Sequence, residues 1–164
     1  MNNIILIGMP GVGKSTVGVV LAKNMGYKFI DSDLVIQEKT NKLLHEIISD
    51  EGIEGFIKIE NDINSNINCS KSVIATGGSA VYGREAMEHF KSIGKIVYLK
   101  LGYTGIKNRL GDLEERGVAL EKGKTLLDLY KERIPLYEKY ADIVIDCKKN
   151  SIRNIVEEIK LALK

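Results

Sequence analysis

The sequence predicts an α/β fold, a three-layer sandwich in which helices cover both faces of a five-stranded parallel sheet. Three observations predict it. Short apolar runs alternate with stretches of helical periodicity along the chain. The first run, residues 4–7, is apolar at every position, as in a strand buried on both faces. Glycine clusters follow the first and third runs, at Gly8, Gly11 and Gly13 and at Gly77 and Gly78. Such residues permit the backbone paths needed between strand and helix.

The elements follow in order. Residues 4–7 form a strand and 8–13 a turn. Residues 15–25 form a helix with Val17, Val20, Leu21 and Met25 on one face, closed by Gly26. Residues 27–30 are a second strand ending in Asp31-Ser32-Asp33, and 34–38, 43–48 and 53–67 are helical pieces. Residues 72–75 are a third strand, closed by Thr76-Gly77-Gly78; 85–92 are helical and 95–99 a fourth strand. A short helix over 104–110 leads to a polar stretch with Gly111, Gly117 and Gly123, of the length at which loops tend to be functional or disordered. Residues 126–140 are a long amphipathic helix, expected to kink near Pro135. Residues 141–145 are a fifth strand and 152–163 a closing helix.

Composition bounds the function. A chain of 164 residues with 44% hydrophobic and 28% charged residues is one ordinary globular domain, spanning 1–164, rather than a disordered or fibrous protein. Lys and Arg total 24 against 22 Asp and Glu, a net charge of +2, so a dedicated nucleic-acid partner is not expected. The apolar run at the N-terminus is four residues long. A signal or membrane span needs more, so no membrane partner and a cytoplasmic location are expected. Cys69 and Cys147 fit no metal or redox motif and are expected as reduced thiols. His45 and His89 have no partner pattern and read as structural.

Residues 8–15, Gly-Met-Pro-Gly-Val-Gly-Lys-Ser, match the phosphate-loop pattern of a glycine, four residues, then Gly-Lys-Ser/Thr, between the first strand and first helix. Backbone N–H groups of such a loop point inward at the phosphates, and the helix adds its positive end. Lys14 would neutralise terminal phosphates and Ser15 would offer its hydroxyl to Mg²⁺. A chance match would occur on the order of once in a hundred chains of this length. The D-x-x-G and N-K-x-D signatures of GTPases are absent, which favours ATP.

Asp31 and Asp33 end the second strand on the rim where parallel sheets bind ligands. One could support Mg²⁺ through water and the other accept a hydrogen bond from an attacking hydroxyl, or Asp33 could simply cap the next helix. Thr76-Gly77-Gly78-Ser79 lies on the same rim, as a ligand-facing backbone or an ordinary turn. Arg116 lies within the glycine-punctuated segment, read as a lid over about 111–124, where it could offset charge on a transferring phosphoryl group. Arg109 precedes that segment, and Arg133 follows it and could clamp a carboxylate.

Together these residues resemble the shikimate kinases, P-loop kinases of the nucleoside-monophosphate-kinase type, over nearly the whole chain. The resemblance rests on residues 8–16 (GMPGVGKST), Asp31-Ser32-Asp33, residues 75–79 (ATGGS), and Arg133-Ile134-Pro135-Leu136-Tyr137 followed by Ala141-Asp142. It implies a P-loop kinase fold with a lid and substrate-binding helices over about 33–62. It implies transfer of the γ-phosphoryl group of ATP to the 3-hydroxyl of shikimate with Mg²⁺, by a monomer. By the same resemblance ATP is bound by Gly11, Val12, Gly13, Lys14, Ser15, Thr16, Arg109 and Arg116, with Arg109 against the adenine. Shikimate is bound by Asp33, Gly77, Gly78 and Arg133. Lys14, Asp33 and Arg116 are catalytic, and Ser15 and Asp31 serve the metal.

Three positions depart from the family pattern. Its Phe-Arg-x-x-Glu stands here as Phe56-Ile57-Lys58-Ile59-Glu60, its third glycine is Ser79, and its lid Arg-Pro is Arg116-Gly117. The missing arginine would join in gripping the acceptor carboxylate. Two other readings therefore stand beside the first: a related kinase acting on another small hydroxylated acid, and a module that senses ATP without transferring phosphate.

Overall fold

The computed structural model of the chain describes residues 2–110 and 123–164. The elements are β1 (Asn3–Ile7), α1 (Lys14–Met25), β2 (Lys28–Asp31), α2 (Ser32–Thr40), α3 (Leu44–Ser65), β3 (Ser72–Ala75), a 3-10 turn (Ala80–Tyr82), α4 (Arg84–Ile93), β4 (Gly94–Lys100), α5 (Tyr103–Arg109), α6 (Leu126–Tyr140), β5 (Ile143–Asp146) and α7 (Ile152–Ala162). The strands form one parallel sheet in the order β2-β3-β1-β4-β5. Every residue of β1 and β3 is buried, because both faces of the sheet centre are covered. The expected α/β fold with a five-stranded parallel sheet is observed.

The strand order places the ligand crevice. From β1 the chain crosses to β2 on one side of it, and from β3 it crosses to β4 on the other. The carboxyl ends of β1 and β3 are therefore neighbours at the point where the winding reverses, which is where open parallel sheets bind ligands. Residues 8–13 and 76–79 leave the sheet at this point.

Asn3 ties the opposite end of the sheet. It is buried, its amide donates to the carbonyls of Cys69 and Ile93 at 2.9 and 3.0 Å, and its oxygen accepts from Ser72 N at 3.0 Å. One side chain thereby holds the chain entering β3 and β4 against β1.

The helical region after β2 is more continuous than its periodicity suggests. The three expected pieces are two elements, α2 and α3, and the break expected inside the latter falls at Gly52, whose φ of 72° interrupts the helical path. These helices enclose a second, smaller core of Ile36, Ile47, Phe56 and Ile63. Pro135 lies inside α6 without ending it. The carbonyl that loses its partner belongs to exposed Lys131, where water can take the bond. The fifth strand begins at Ile143 rather than 141. Ala141 N still bonds the Tyr137 carbonyl to close α6, and the Asp142 carboxylate accepts from Ile96 N at 2.9 Å.

Candidate active site

The phosphate loop is built as its spacing predicts. Gly13 takes φ 109° at the head of α1, a backbone angle that excludes ordinary side chains, and its carbonyl accepts the first helical bond from Val17 N at 2.9 Å. Lys14 is buried, and its Nζ donates to the loop's own Gly8 and Met9 carbonyls at 2.6 and 3.0 Å. Ser15 and Thr16 are exposed toward the cavity. Arg109 reaches the loop from α5, donating from Nη1 to the Val12 carbonyl at 2.9 Å. Arg116 and most of the segment 111–124 lie outside the described residues.

The two aspartates divide their work. Asp31, not Asp33, caps α2: its Oδ1 accepts from Asp33 N at 2.9 Å and Leu34 N at 3.4 Å. Asp33 sits in the first turn with its side chain turned into the cavity, and its Oδ1 is buried without a hydrogen-bond partner. A Cβ on Gly77 would lie 2.8 Å from that oxygen, so the absent side chain is what lets the carboxylate reach the strand end.

Arg133 is the largest fully buried side chain, 1% exposed, and faces the same floor: its Nη1 would lie 3.0 Å from a Cβ on Gly78. Its Nε donates to the Tyr82 hydroxyl at 3.2 Å, and its Cζ stands 5.3 Å from the centre of the Tyr82 ring. One turn further along α6, the Tyr137 hydroxyl donates to the Gly78 carbonyl at 2.6 Å and lies 3.7 Å from Met9 Sδ.

These groups line one cavity of about 460 Å³, which holds Gly11, Gly13, Lys14, Ser15 and Thr16 on one side and Asp33, Gly77, Gly78 and Arg133 on the other. That volume is in the range of small-molecule sites. Burial pulls the Lys14 ammonium down to about 8, against the attraction of Asp33. Burial also raises the Asp33 carboxyl to about 6, with the charge of Asp31 adding and Lys14 opposing. Perturbed acids and bases facing one cavity are the mark of a reactive site.

A residue that the sequence named only as the last member of a family pattern, without a role, stands behind this floor. Glu60 of α3 is buried, accepts from Ser79 Oγ at 2.7 Å, and leaves Oε2 without a partner. Burial pushes it up to about 7, which Asp33 reinforces and the Ser79 bond, Arg133 and Lys14 oppose. Its signal in the sequence was faint: Glu60 lies four residues after Phe56, on the buried face of an amphipathic helix. Tyr82 and Tyr137 were likewise not singled out.

The family described as shikimate kinase matches residues 10–164. The chain belongs to the shikimate kinase family. A shikimate kinase of Francisella tularensis subsp. holarctica is 39% identical over 98% of this chain and 94% of the relative. Among solved structures, the shikimate kinase of Acinetobacter baumannii in complex with shikimate has a TM-score of 0.85 at 30% identity, covering 99% of this chain and 93% of that one. The shikimate kinase of Aquifex aeolicus has a TM-score of 0.83 at 30% identity, with 98% and 95% covered. Like the rest of the shikimate kinase family, this chain is an ATP-dependent phosphotransferase whose reaction gives shikimate 3-phosphate and ADP. The P-loop kinase fold implied by the resemblance is the one its structural relatives share.

Two expectations are refined by these positions. His89 is structural, its Nε2 donating to the Ile67 carbonyl at 2.6 Å. Lys58, beside the missing arginine, is exposed and turned away, while Ile57 packs on the second core. Among the described residues no group of three or more His, Cys, Asp or Glu could hold a metal, and no helix is long and apolar enough to cross a membrane.

Proposed function

We propose that the chain performs this transfer with ATP phosphates in the loop of residues 8–16 and shikimate against Asp33, Gly77, Gly78 and Arg133. The observation that carries the assignment is the free, buried Oδ1 of Asp33 in the cavity shared with Lys14 and Arg133. A buried carboxylate oxygen without a donor is where a substrate hydroxyl gains a hydrogen bond that nothing in the protein supplies. Asp33 would orient the 3-hydroxyl and accept its proton as the oxygen attacks phosphorus, while the γ-phosphoryl group leaves ADP.

Lys14 must leave the Gly8 and Met9 carbonyls to meet the phosphates. It would then offset their negative charge together with Arg116. Arg133, pinned by Tyr82, would grip the carboxylate and set the acceptor's direction. Holding donor and acceptor in line supplies most of the catalysis expected of such an enzyme. Mg²⁺ would be held by the Ser15 hydroxyl and the phosphates, with Asp31 acting through water. A hydroxyl ligand, with no cluster of carboxylates around it among the described residues, suits an ion that keeps most of its waters and arrives with nucleotide. The bound ion would neutralise charge on the phosphate oxygens. Arg109 would flank the nucleotide from α5. The protein would work as a cytoplasmic monomer.

A coupled ADP-release assay over a panel of hydroxylated acids tests this reading. ADP release stimulated by shikimate supports it. Stimulation only by another acid would transfer the same machinery to that acceptor, and no stimulation by any acid would leave an ATP-binding module.

A further inference from the structure

Of the departures from the family pattern, Ser79 touches Glu60, and Ile57 stands three residues before it on α3. Ser79 Oγ donates to Glu60 Oε1 at 2.7 Å. Oε2 has no partner and would lie 3.1 Å from a Cβ on Gly77, so the carboxyl sits immediately behind the floor on which the acceptor is placed. Ile57 packs into the second core and Lys58 points to solvent, so this part of α3 brings no cation to Glu60. The groups facing Glu60 are Lys14 from α1, Asp33 from α2, Ser79 from the turn after β3, and Arg133 and Tyr137 from α6. Arg133 reaches the same floor one residue further on, at Gly78. One guanidinium thus faces a buried carboxyl on one side and the acceptor's place on the other.

We infer that Glu60 is a positioning residue whose charge sets the affinity for an anionic acceptor: shikimate binds beside Arg133 with Glu60 protonated, and the Ser79 hydroxyl, by bonding the ionised carboxyl, sets the pH at which that affinity falls. This rests on the acceptor reading given above. An ionised Glu60 competes with the acceptor carboxylate for the field of Arg133, and among the described residues no second arginine lines the cavity to make up the difference. Above neutral pH, binding therefore takes one proton from solvent onto a Glu60 oxygen. The position of Glu60 near 7 places this exchange in the physiological range.

The test measures the shikimate KM from pH 6 to 8.5 at saturating ATP and Mg²⁺. Titration calorimetry with shikimate at pH 8, in two buffers of different ionisation enthalpy, counts protons directly. In the unaltered chain KM should rise about tenfold between pH 6 and 8, with close to one proton taken up and kcat changing no more than about twofold as Asp33 ionises. Glu60→Gln should flatten the KM profile and abolish the uptake. Ser79→Ala should move the rise to higher pH, and Ser79→Thr should restore it. Shikimate methyl ester, which carries no charge, should show no rise. A flat profile in the unaltered chain, an equal rise in Glu60→Gln, or an equal rise with the ester would overturn the inference alone. Neither binding nor turnover of shikimate by a chain that still binds ATP would overturn the functional reading on which it rests.

Discussion

Replacing Glu60 by Gln should change how the protein's stability depends on pH. Burial lifts the Glu60 carboxyl from its ordinary 4.5 to about 7. A carboxyl whose pKa is higher folded than unfolded holds its proton more tightly in the native state. Its contribution is fully present below about pH 4.5 and is lost as pH rises through about 7. At 1.36 kcal/mol per pH unit, the full loss is about 3 kcal/mol, most of which falls between pH 5 and pH 8. Gln is isosteric with the protonated acid and can still accept from Ser79, so the variant keeps the packing and drops the titration. Urea unfolding at pH 5 and pH 8 gives the comparison. Relative to the unaltered chain, Glu60→Gln should gain about 2–3 kcal/mol between the two, or about 5–10 °C in Tm for a chain of this size. An unchanged difference between the two proteins at pH 5 and pH 8 would refute the burial argument, because it would mean the carboxyl is solvated in the native state.

Other predictions address separate parts of the molecule. Asp33→Asn should lower kcat by about 10²–10⁴-fold while ATP affinity, measured by calorimetry, stays nearly constant; wild-type turnover would remove Asp33 from the chemistry. Ile57→Arg should lower the shikimate KM about tenfold by adding a charge-assisted contact, and a KM that holds or rises would show that the carboxylate is gripped elsewhere. Gly78→Ala would place a Cβ 2.6 Å from Pro10 Cδ and 3.0 Å from Arg133 Nη1, so it should raise the acceptor KM far more than it lowers Tm. Asn3→Ala removes three buried hydrogen bonds at the far end of the sheet and should cost about 2–4 kcal/mol in chemical denaturation with kcat unchanged below the transition.

What could be read from the sequence was what local chemistry determines. The phosphate loop is contiguous, and its glycines, Lys14 and Ser15 are required by one local geometry. The strands were legible because strands buried on both faces are apolar throughout, as residues 4–7 are. Asp33, Gly77, Gly78 and Arg133 were found through strand ends and motifs, and one cavity gathers them. The division of labour between Asp31 and Asp33 was not legible, since both are acidic residues at the same strand end and only the path of α2 decides which one caps it. Glu60 was hidden for a different reason. A Glu on a helix reads as solvent-facing, and only the packing of α3 against the turn after β3 buries it next to Ser79. The missing arginine was visible, but its consequence was not, because Ser79 is far from α3 in sequence and only the fold brings it to Glu60.

Arg133 and Tyr137 stand about one turn apart on α6, about 6 Å along a single rod. The first reaches the cavity floor at Gly78, and the second touches both that floor, through the Gly78 carbonyl, and the phosphate loop, through Met9. With the reactants bound as proposed, the helix would work as a calliper, with one jaw at each reactant. The gap between attacking oxygen and phosphorus is a dimension of this rod's seating, and misplacement by about 1 Å can cost about 10²-fold in rate. Changes further along the same buried stripe of α6, at Leu129 for example, should then appear as lost turnover with both substrates still bound. A defect in machining tolerance would look, in a kinetic assay, like a defect in chemistry.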